Sequence, residues 1–142
     1  MNQDCRFVDV GARVLMASLF LVAGIRKVLT WKMMLGYFAG LGIPLPEIVL
    51  PLTVTVEIGG GLALIAGWRL REVALVMAGF TLFTAFIAHR FWMADGAQFN
   101  NQLNHFFKNV AITGGFLVLF AGALRGSASG QSSARENAVA AR

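Results

Sequence analysis

The sequence predicts an all-α protein: an integral membrane four-helix bundle with both termini cytoplasmic. Four separate apolar runs are each long enough, at about 1.5 Å of rise per residue, to cross a hydrocarbon core of about 30 Å. Only 13% of the 142 residues are charged, about half the share found in soluble domains. The mean hydropathy of +0.68 points the same way. The orientation of the termini rests on the distribution of the basic residues, considered below.

The chain divides into three parts. Residues 1–9 form a polar N-terminal lead, residues 10–125 form the four-span membrane domain, and residues 126–142 form a tail. The tail is rich in Ser, Ala and Gly and has no apolar periodicity, so too little apolar surface is available to offset the entropy of ordering it. We therefore predict that the tail is disordered.

The first span covers residues 10–29, and a connector of residues 31–47 follows it. Lys27 lies near the end of this span, on the helix face that also carries Ala23 and Gly24. The connector has an amphipathic centre and ends in a Pro-rich stretch, which stops any helix and sets the start of the next one. We expect the connector to lie at the membrane interface, with its aromatic residues at the level of the headgroups.

The remaining spans cover residues 48–67, 73–89 and 104–124. A short polar turn at residues 68–72 separates the second span from the third, so these two must be antiparallel neighbours. Residues 94–102 are rich in amide side chains and are predicted to form a loop between the third and fourth spans.

The basic residues indicate the orientation of the bundle. An even number of spans places both termini on one side of the membrane. Seven basic residues lie on that side: Arg6, Arg13, Arg69, Arg71, Arg125, Arg135 and Arg142. Five lie on the opposite side: Arg26, Lys27, Lys32, Arg90 and Lys108. Because cytoplasmic loops carry the excess of Lys and Arg, the termini are predicted to be cytoplasmic.

Glu57 is the only charged residue between positions 48 and 67, and it lies near the centre of the second span. A carboxylate at that depth costs a few kcal/mol, so it needs a partner and marks a functional-site hypothesis. Lys27 and Lys108 are the partners considered, with Lys27 preferred because small residues beside it favour close packing. The alternative is a protonated, purely structural acid. A stripe of small residues, Thr55, Gly59, Ala63 and Gly67, is expected to admit a neighbouring helix.

The five cations opposite the termini work against the orientation signal, so they are expected to serve a ligand. They form a polar crown over one membrane face together with Glu47, Glu57, His89, Asp95 and His105. A pocket with Glu57 at its floor and cations at its mouth would suit an anionic or quinone-like ligand. Two histidines are too few to predict a metal or haem site. With Cys5 as its single cysteine, the chain has no CxxC pair, and its dispersed basic residues do not predict nucleic-acid binding.

Several short motifs, in this order and spacing, resemble the DoxX family. Gly24-x-x-Lys27 closes the first span, residues 40–44 read Gly-Leu-Gly-Ile-Pro, and Glu57-x-x-Gly60-Gly61 follows in the second. Residues 105–109, His-Phe-Phe-Lys-Asn, open the fourth span. The resemblance covers about residues 8–124 and implies a small four-helix protein of the bacterial inner (cytoplasmic) membrane. It further implies a link to quinone-coupled oxidation of sulfur compounds or to membrane oxidoreductase complexes involved in oxidative stress.

The leading functional hypothesis is an accessory, non-catalytic subunit of a quinone-linked membrane redox system. In it, Glu57 exchanges a proton or binds a quinone ring oxygen, and a membrane oxidoreductase subunit is the expected partner. No covalent cofactor and no metal are expected. The alternatives are a carrier for a small anion or acid, and a scaffold that tethers a soluble oxidoreductase to the membrane. The candidate ligand-binding residues are Lys27, Glu57, His89, His105, Lys108 and Asn109.

Overall fold

The computed structural model describes residues 3–140, and the side chains of residues 6–125 within that range. Its helices are α1 (Gln3–Leu29), α2 (Trp31–Gly40), α3 (Pro46–Ala66), α4 (Leu70–Ala88) and α5 (Gly96–Ala140), with a 3-10 turn at Phe91–Met93. No strand occurs in the described part of the chain. Between residues 6 and 125, α1, α3, α4 with the 3-10 turn, and α5 are long and apolar enough to cross a membrane. The predicted four-span architecture is confirmed.

Helix α5 begins earlier than predicted, because most of the amide-rich stretch is its first part. Gly96 is the first helical residue, and the Asp95 side chain caps the helix by accepting a hydrogen bond from the Gln98 backbone N–H (3.0 Å). The Asp95 carbonyl oxygen accepts a second from the Phe99 N–H (2.8 Å). An Asp at this position satisfies amide groups that a helix start leaves unpaired. The prediction of a loop over residues 94–102 was therefore wrong beyond Asp95.

The backbone remains helical to Ala140, whereas residues 126–142 were predicted to be disordered. Extending an existing helix avoids the cost of nucleation, which explains how a segment without an apolar face can continue α5. The apolar span itself ends at Arg125. Residues 1–2 and 141–142, the ends of the predicted lead and tail, lie outside the described residues.

The helices associate as two closely packed pairs. Helix α1 packs along α3, and α4 packs along α5, whereas α3 and α4 touch over a smaller area. The tight turn between α3 and α4 is built on Gly67 and Arg69, both with positive φ, which confirms that the second and third spans are antiparallel neighbours. The pairs meet in a buried core that includes Phe20 of α1 and Phe116 of α5, with ring centroids 5.5 Å apart.

Glycine sets the distance between α1 and α3. A Cβ atom on Gly61 would lie 2.9 Å from Leu21 Cδ2 and 3.4 Å from the Ala17 carbonyl oxygen, so a larger residue would displace the Leu21 side chain or separate the helices. Near the other end of α1, Arg13 Nη1 donates a hydrogen bond to the Leu64 carbonyl oxygen (3.4 Å). This hydrogen bond joins α1 to α3 close to the turn after α3.

The packing face of α3 differs from the predicted stripe. Thr55 and Gly59 are exposed, whereas Glu57, Gly61 and Leu64 are buried. Positions 57, 61 and 64 repeat at intervals of four and three residues, which places them on one helix face. Glu57 thus faces the bundle, as predicted, but the small-residue stripe through Thr55 and Gly59 does not admit α1.

The connector forms the short helix α2 against the start of α3. Met34 and Phe38 of α2 are buried with Leu50 of α3 in a second apolar cluster. The loop that follows contains Gly42, whose φ of 76° suits glycine, and Pro46 is the first residue of α3. The same loop lies beside the end of α4, where Arg90 bonds to the Leu41 carbonyl oxygen, and it lines the candidate site.

Candidate functional site

A buried ion pair joins α1 to α3. Lys27 Nζ lies 2.7 Å from Glu57 Oε1 and 2.9 Å from Oε2, so the ammonium group donates to both carboxylate oxygens. The side chains are only 13% and 7% exposed, respectively. Lys27, and not Lys108, is therefore the partner of Glu57 in the structure.

Gly24 lets α1 and α3 come close enough for this ion pair to form. A Cβ atom on Gly24 would lie 2.6 Å from Ile58 Cγ1 and 3.3 Å from Glu57 Cβ. Because Gly24 lies one turn before Lys27, its missing side chain lets α3 approach where the lysine must reach the carboxylate. The Gly24-x-x-Lys27 spacing thus has a direct geometric role.

The ion pair lies in the wall of a cavity of about 700 Å³ between α1, α2, α3 and α4. Its apolar lining comes mainly from these residues: Met34, Tyr37, Phe38, Leu41, Ile43, Val49, Leu52, Val56, Phe80, Phe83, Phe86 and Ile87. Its polar lining consists of these side chains: Arg26, Lys27, Thr53, Glu57, Thr84, His89 and Arg90. The cavity can therefore receive a molecule with an apolar body and a few polar atoms.

Positive charge predominates around this cavity. Among the described side chains that line it, Arg26, Lys27 and Arg90 are cationic and Glu57 is the carboxylate. Arg90 Nη2 also donates a hydrogen bond to the Leu41 carbonyl oxygen (2.9 Å), which connects the end of α4 to the loop after α2. With Glu57 already paired to Lys27, the arginines leave the cavity with a positive field for an electron-rich ligand group.

His89 and His105 form a stacked pair at the edge of the cavity. Their ring centroids are 5.0 Å apart and the ring planes are inclined by 17°. His89 lines the cavity, and its Nδ1–H donates a hydrogen bond to Gln102 Oε1 (3.1 Å), which fixes the ring from the side of α5. Within residues 6–125, no group of three or more His, Cys, Asp or Glu side chains converges.

The six candidate site residues do not all meet. Lys27, Glu57 and His89 line the cavity, and His105 contacts it through His89. Lys108 is exposed and Asn109 is half-buried, and neither belongs to the lining. The crown of charges is thus divided. The cavity gathers half of it, and the other half lies outside the lining, on α2, on α3, and just before or on α5: Lys32, Glu47, Asp95, His105 and Lys108.

Arg26 and Arg90 were predicted as cations of the polar crown, although not as individual ligand-binding candidates, and both line the cavity. Each adjoins one of the individual candidates, Lys27 and His89 respectively. Their roles depend on how the loop after α2 folds back over the helix ends, which no local pattern specifies. The Gly-Leu-Gly-Ile-Pro motif at residues 40–44 was the available signal, because it marks an unusual turn.

This arrangement defines a class of protein: a small multi-pass membrane protein with a charged pair in the wall of a ligand-sized cavity. The model of the DoxX family matches residues 8–90, which include Lys27, Glu57 and His89. The chain belongs to the DoxX family. The match therefore covers every helix that lines the cavity and ends before α5.

Two relatives from Escherichia coli (strain K12) extend this comparison. The chain is 43% identical to the inner membrane protein YqjF over 114 residues, covering 78% of this chain and 82% of the relative. It is 31% identical to the inner membrane protein YphA over 108 residues, covering 76% and 77%. No solved structure matches it. The chain is a multi-pass protein of the inner membrane.

Proposed function

We propose that the chain is the quinone-binding accessory subunit of a membrane redox system. The observation that carries the proposal is the Lys27–Glu57 ion pair in the wall of the apolar cavity. A volume of about 700 Å³ falls within the range of about 300–1,000 Å³ that is usual for small-molecule sites. A quinone ring combines an apolar body with two carbonyl oxygens, which matches a largely apolar lining with a few polar groups.

The ion pair supplies both groups that a quinone requires. Lys27 Nζ is positioned to donate a hydrogen bond to a ring oxygen while it stays beside Glu57. Reduction of a quinone to a quinol takes up two electrons and two protons, and Glu57 is the cavity carboxylate able to pass on a proton. The electrons come from an oxidoreductase partner. The chain thereby contributes binding, orientation and proton exchange.

The positive surroundings of the cavity also suit a second candidate, a carrier for a small anion or acid. Arg26 and Arg90 would attract such a solute to the mouth of the cavity. Transport requires access from both membrane faces, however, and the core that contains Phe20 and Phe116 packs tightly below the ion pair. We therefore place quinone binding first.

Calorimetric titration of the purified protein in lipid nanodiscs with a short-tailed ubiquinone tests the proposal. We expect saturable binding, and we expect Lys27→Met to weaken it by about tenfold, because it removes a desolvated hydrogen-bond donor. Lys108→Met removes an exposed lysine outside the cavity and should leave the binding constant unchanged. Absence of saturable binding to the unaltered protein contradicts the proposal, and solute uptake by proteoliposomes would then favour the carrier.

A further inference from the structure

A second cavity of about 270 Å³ lies between α3 and α4, close to the turn that joins them. Its lining is mostly apolar and includes Gly60 of α3 and Val73 and Val76 of α4. Its charged residues, Arg69 and Glu72, lie at the turn and pair with each other at 3.5 Å. Most of this cavity can therefore accept only an apolar group.

The two cavities are consecutive parts of one groove. Val56 lines both of them, and the lining continues along α3 from Thr53 through Val56 to Gly60. On α4 it passes from Phe80, in the larger cavity, to Met77, in the smaller one. This groove runs between α3 and α4, which touch over a smaller area than α1 with α3 or α4 with α5.

The buried polar groups of the groove, Lys27 and Glu57, lie in the larger cavity, whereas the charged residues of the smaller cavity lie at the turn. From Glu57, in the larger cavity, to Ala66, where α3 ends just before the smaller cavity's Trp68, α3 advances roughly 14 Å at 1.5 Å per residue. Val76 is 58% and Trp68 63% exposed, so this part of the groove opens sideways toward lipid. A chain attached to a ring at Lys27 can thus lie along α3 without crossing the packed core.

We infer that the smaller cavity holds the long apolar tail of the ligand whose ring occupies the larger one. The ligand class is then a long-tailed isoprenoid quinone, with its tail directed toward the turn between α3 and α4. This inference rests on the proposed function. A volume of about 270 Å³ is small for a separate ligand but suits a segment of a chain. Met77 packs against Gly60 and, as a flexible side chain, can adapt to a tail passing beside it.

Trp68 provides a direct probe of the tail. In a variant carrying Trp31→Phe and Trp92→Phe, the fluorescence of Trp68 reports on this cavity. The protein is placed in phosphatidylcholine nanodiscs and titrated with a long-tailed ubiquinone, with and without bromine atoms near the tail end. We expect the brominated quinone to quench Trp68 fluorescence more than the unbrominated one. This extra quenching should saturate over the same ubiquinone concentrations as ring binding. Lys27→Met should shift the saturable part to an about tenfold higher ubiquinone concentration, in step with its effect on ring binding.

A matched pair of substitutions locates the tail. Val76→Phe fills the smaller cavity, and it should remove bromine-dependent quenching while short-tailed ubiquinone binds as before. Leu75→Phe introduces the same aromatic side chain at a neighbouring exposed position outside both cavities, and quenching should persist.

Each other outcome has a definite meaning. Quenching that rises linearly with ubiquinone concentration and is unaffected by Lys27→Met places the tail in bulk lipid. That result overturns the inference about the tail, whereas binding of short-tailed ubiquinone would still support the proposed function. If brominated phosphatidylcholine quenches Trp68 saturably and the quinone does not relieve this quenching, the groove is a phospholipid site. That result also overturns the inference about the tail. If short-tailed ubiquinone itself fails to bind, the proposed function fails and the tail assignment fails with it.

Discussion

At the scale of single residues, the buried Lys27–Glu57 ion pair is the contact that joins α1 to α3 at the cavity. An isolated carboxylate in an apolar span must find a partner, because burying it unpaired is costly, and glycine next to a lysine indicates where helices can approach. These two arguments identify the pair that the structure contains. They could not identify the hydrogen bond from Arg90 to the Leu41 carbonyl oxygen, since that depends on a loop conformation.

The ion pair can be measured with a double-mutant cycle. Lys27→Met alone should lower the free energy of unfolding by about 3 kcal/mol, because it leaves a buried carboxylate without its counter-charge. Glu57→Gln in the same chain should recover at least about 1 kcal/mol of that loss. The measurement is reversible unfolding in detergent micelles.

Lys108 provides the control for this cycle. It is exposed and does not contact Glu57, so Lys108→Met and Glu57→Gln should have additive effects on the free energy of unfolding. Strictly additive effects for Lys27→Met and Glu57→Gln as well would falsify the ion pair and return Glu57 to a structural role.

At the scale of elements, hydropathy predicted the centres of the helices better than it predicted their ends. The centres of all four spans were predicted because length and apolar content decide them. The start of α5 was missed because Asn and Gln are common in loops, whereas here the Asp95 cap and the exposed surface tolerate them in a helix. The packing face of α3 followed the position of Glu57 and not the stripe through Gly59.

Two glycines of α1 test the close contact of α1 with α3. Gly24→Ala should destabilise the protein by about 2 kcal/mol, since the new methyl group meets Ile58 and Glu57 near their backbone and forces the helices apart. A Cβ on Gly11 meets nothing within 4 Å, so Gly11→Ala should be neutral or slightly stabilising. Equal effects of the two substitutions on the free energy of unfolding would show that Gly24 is not a packing contact.

At the scale of the whole molecule, four spans require both termini to lie on one side of the membrane. The sequence predicts that side from seven basic residues against five. Several of the five adjoin the cavity, and this explains why cations remain on the side that the orientation signal disfavours. A count of basic residues cannot distinguish the cations that orient the bundle from those that line the cavity, because the cavity depends on the folded arrangement of the helices.

Reporter fusions measure this orientation. A fusion after Gly126, beyond the fourth span, should place the reporter in the cytoplasm, where a fluorescent protein matures. A fusion after Ala94, between the third and fourth spans, should place it in the periplasm, where alkaline phosphatase is active. Both positions reporting the same compartment would contradict the four-span topology, and the reverse assignment would overturn only the orientation.

The fastening of α1 to α3 at two separate places has a mechanical consequence. Turning α1 on α3 would break the Arg13 hydrogen bond to Leu64 or the Lys27–Glu57 pair, so both contacts resist that rotation. Helices α4 and α5 form the other closely packed pair. A change in the angle between the two pairs would widen or narrow the space between α3 and α4 without breaking either contact. A ligand in that space would then meet the same charged pair at either spacing.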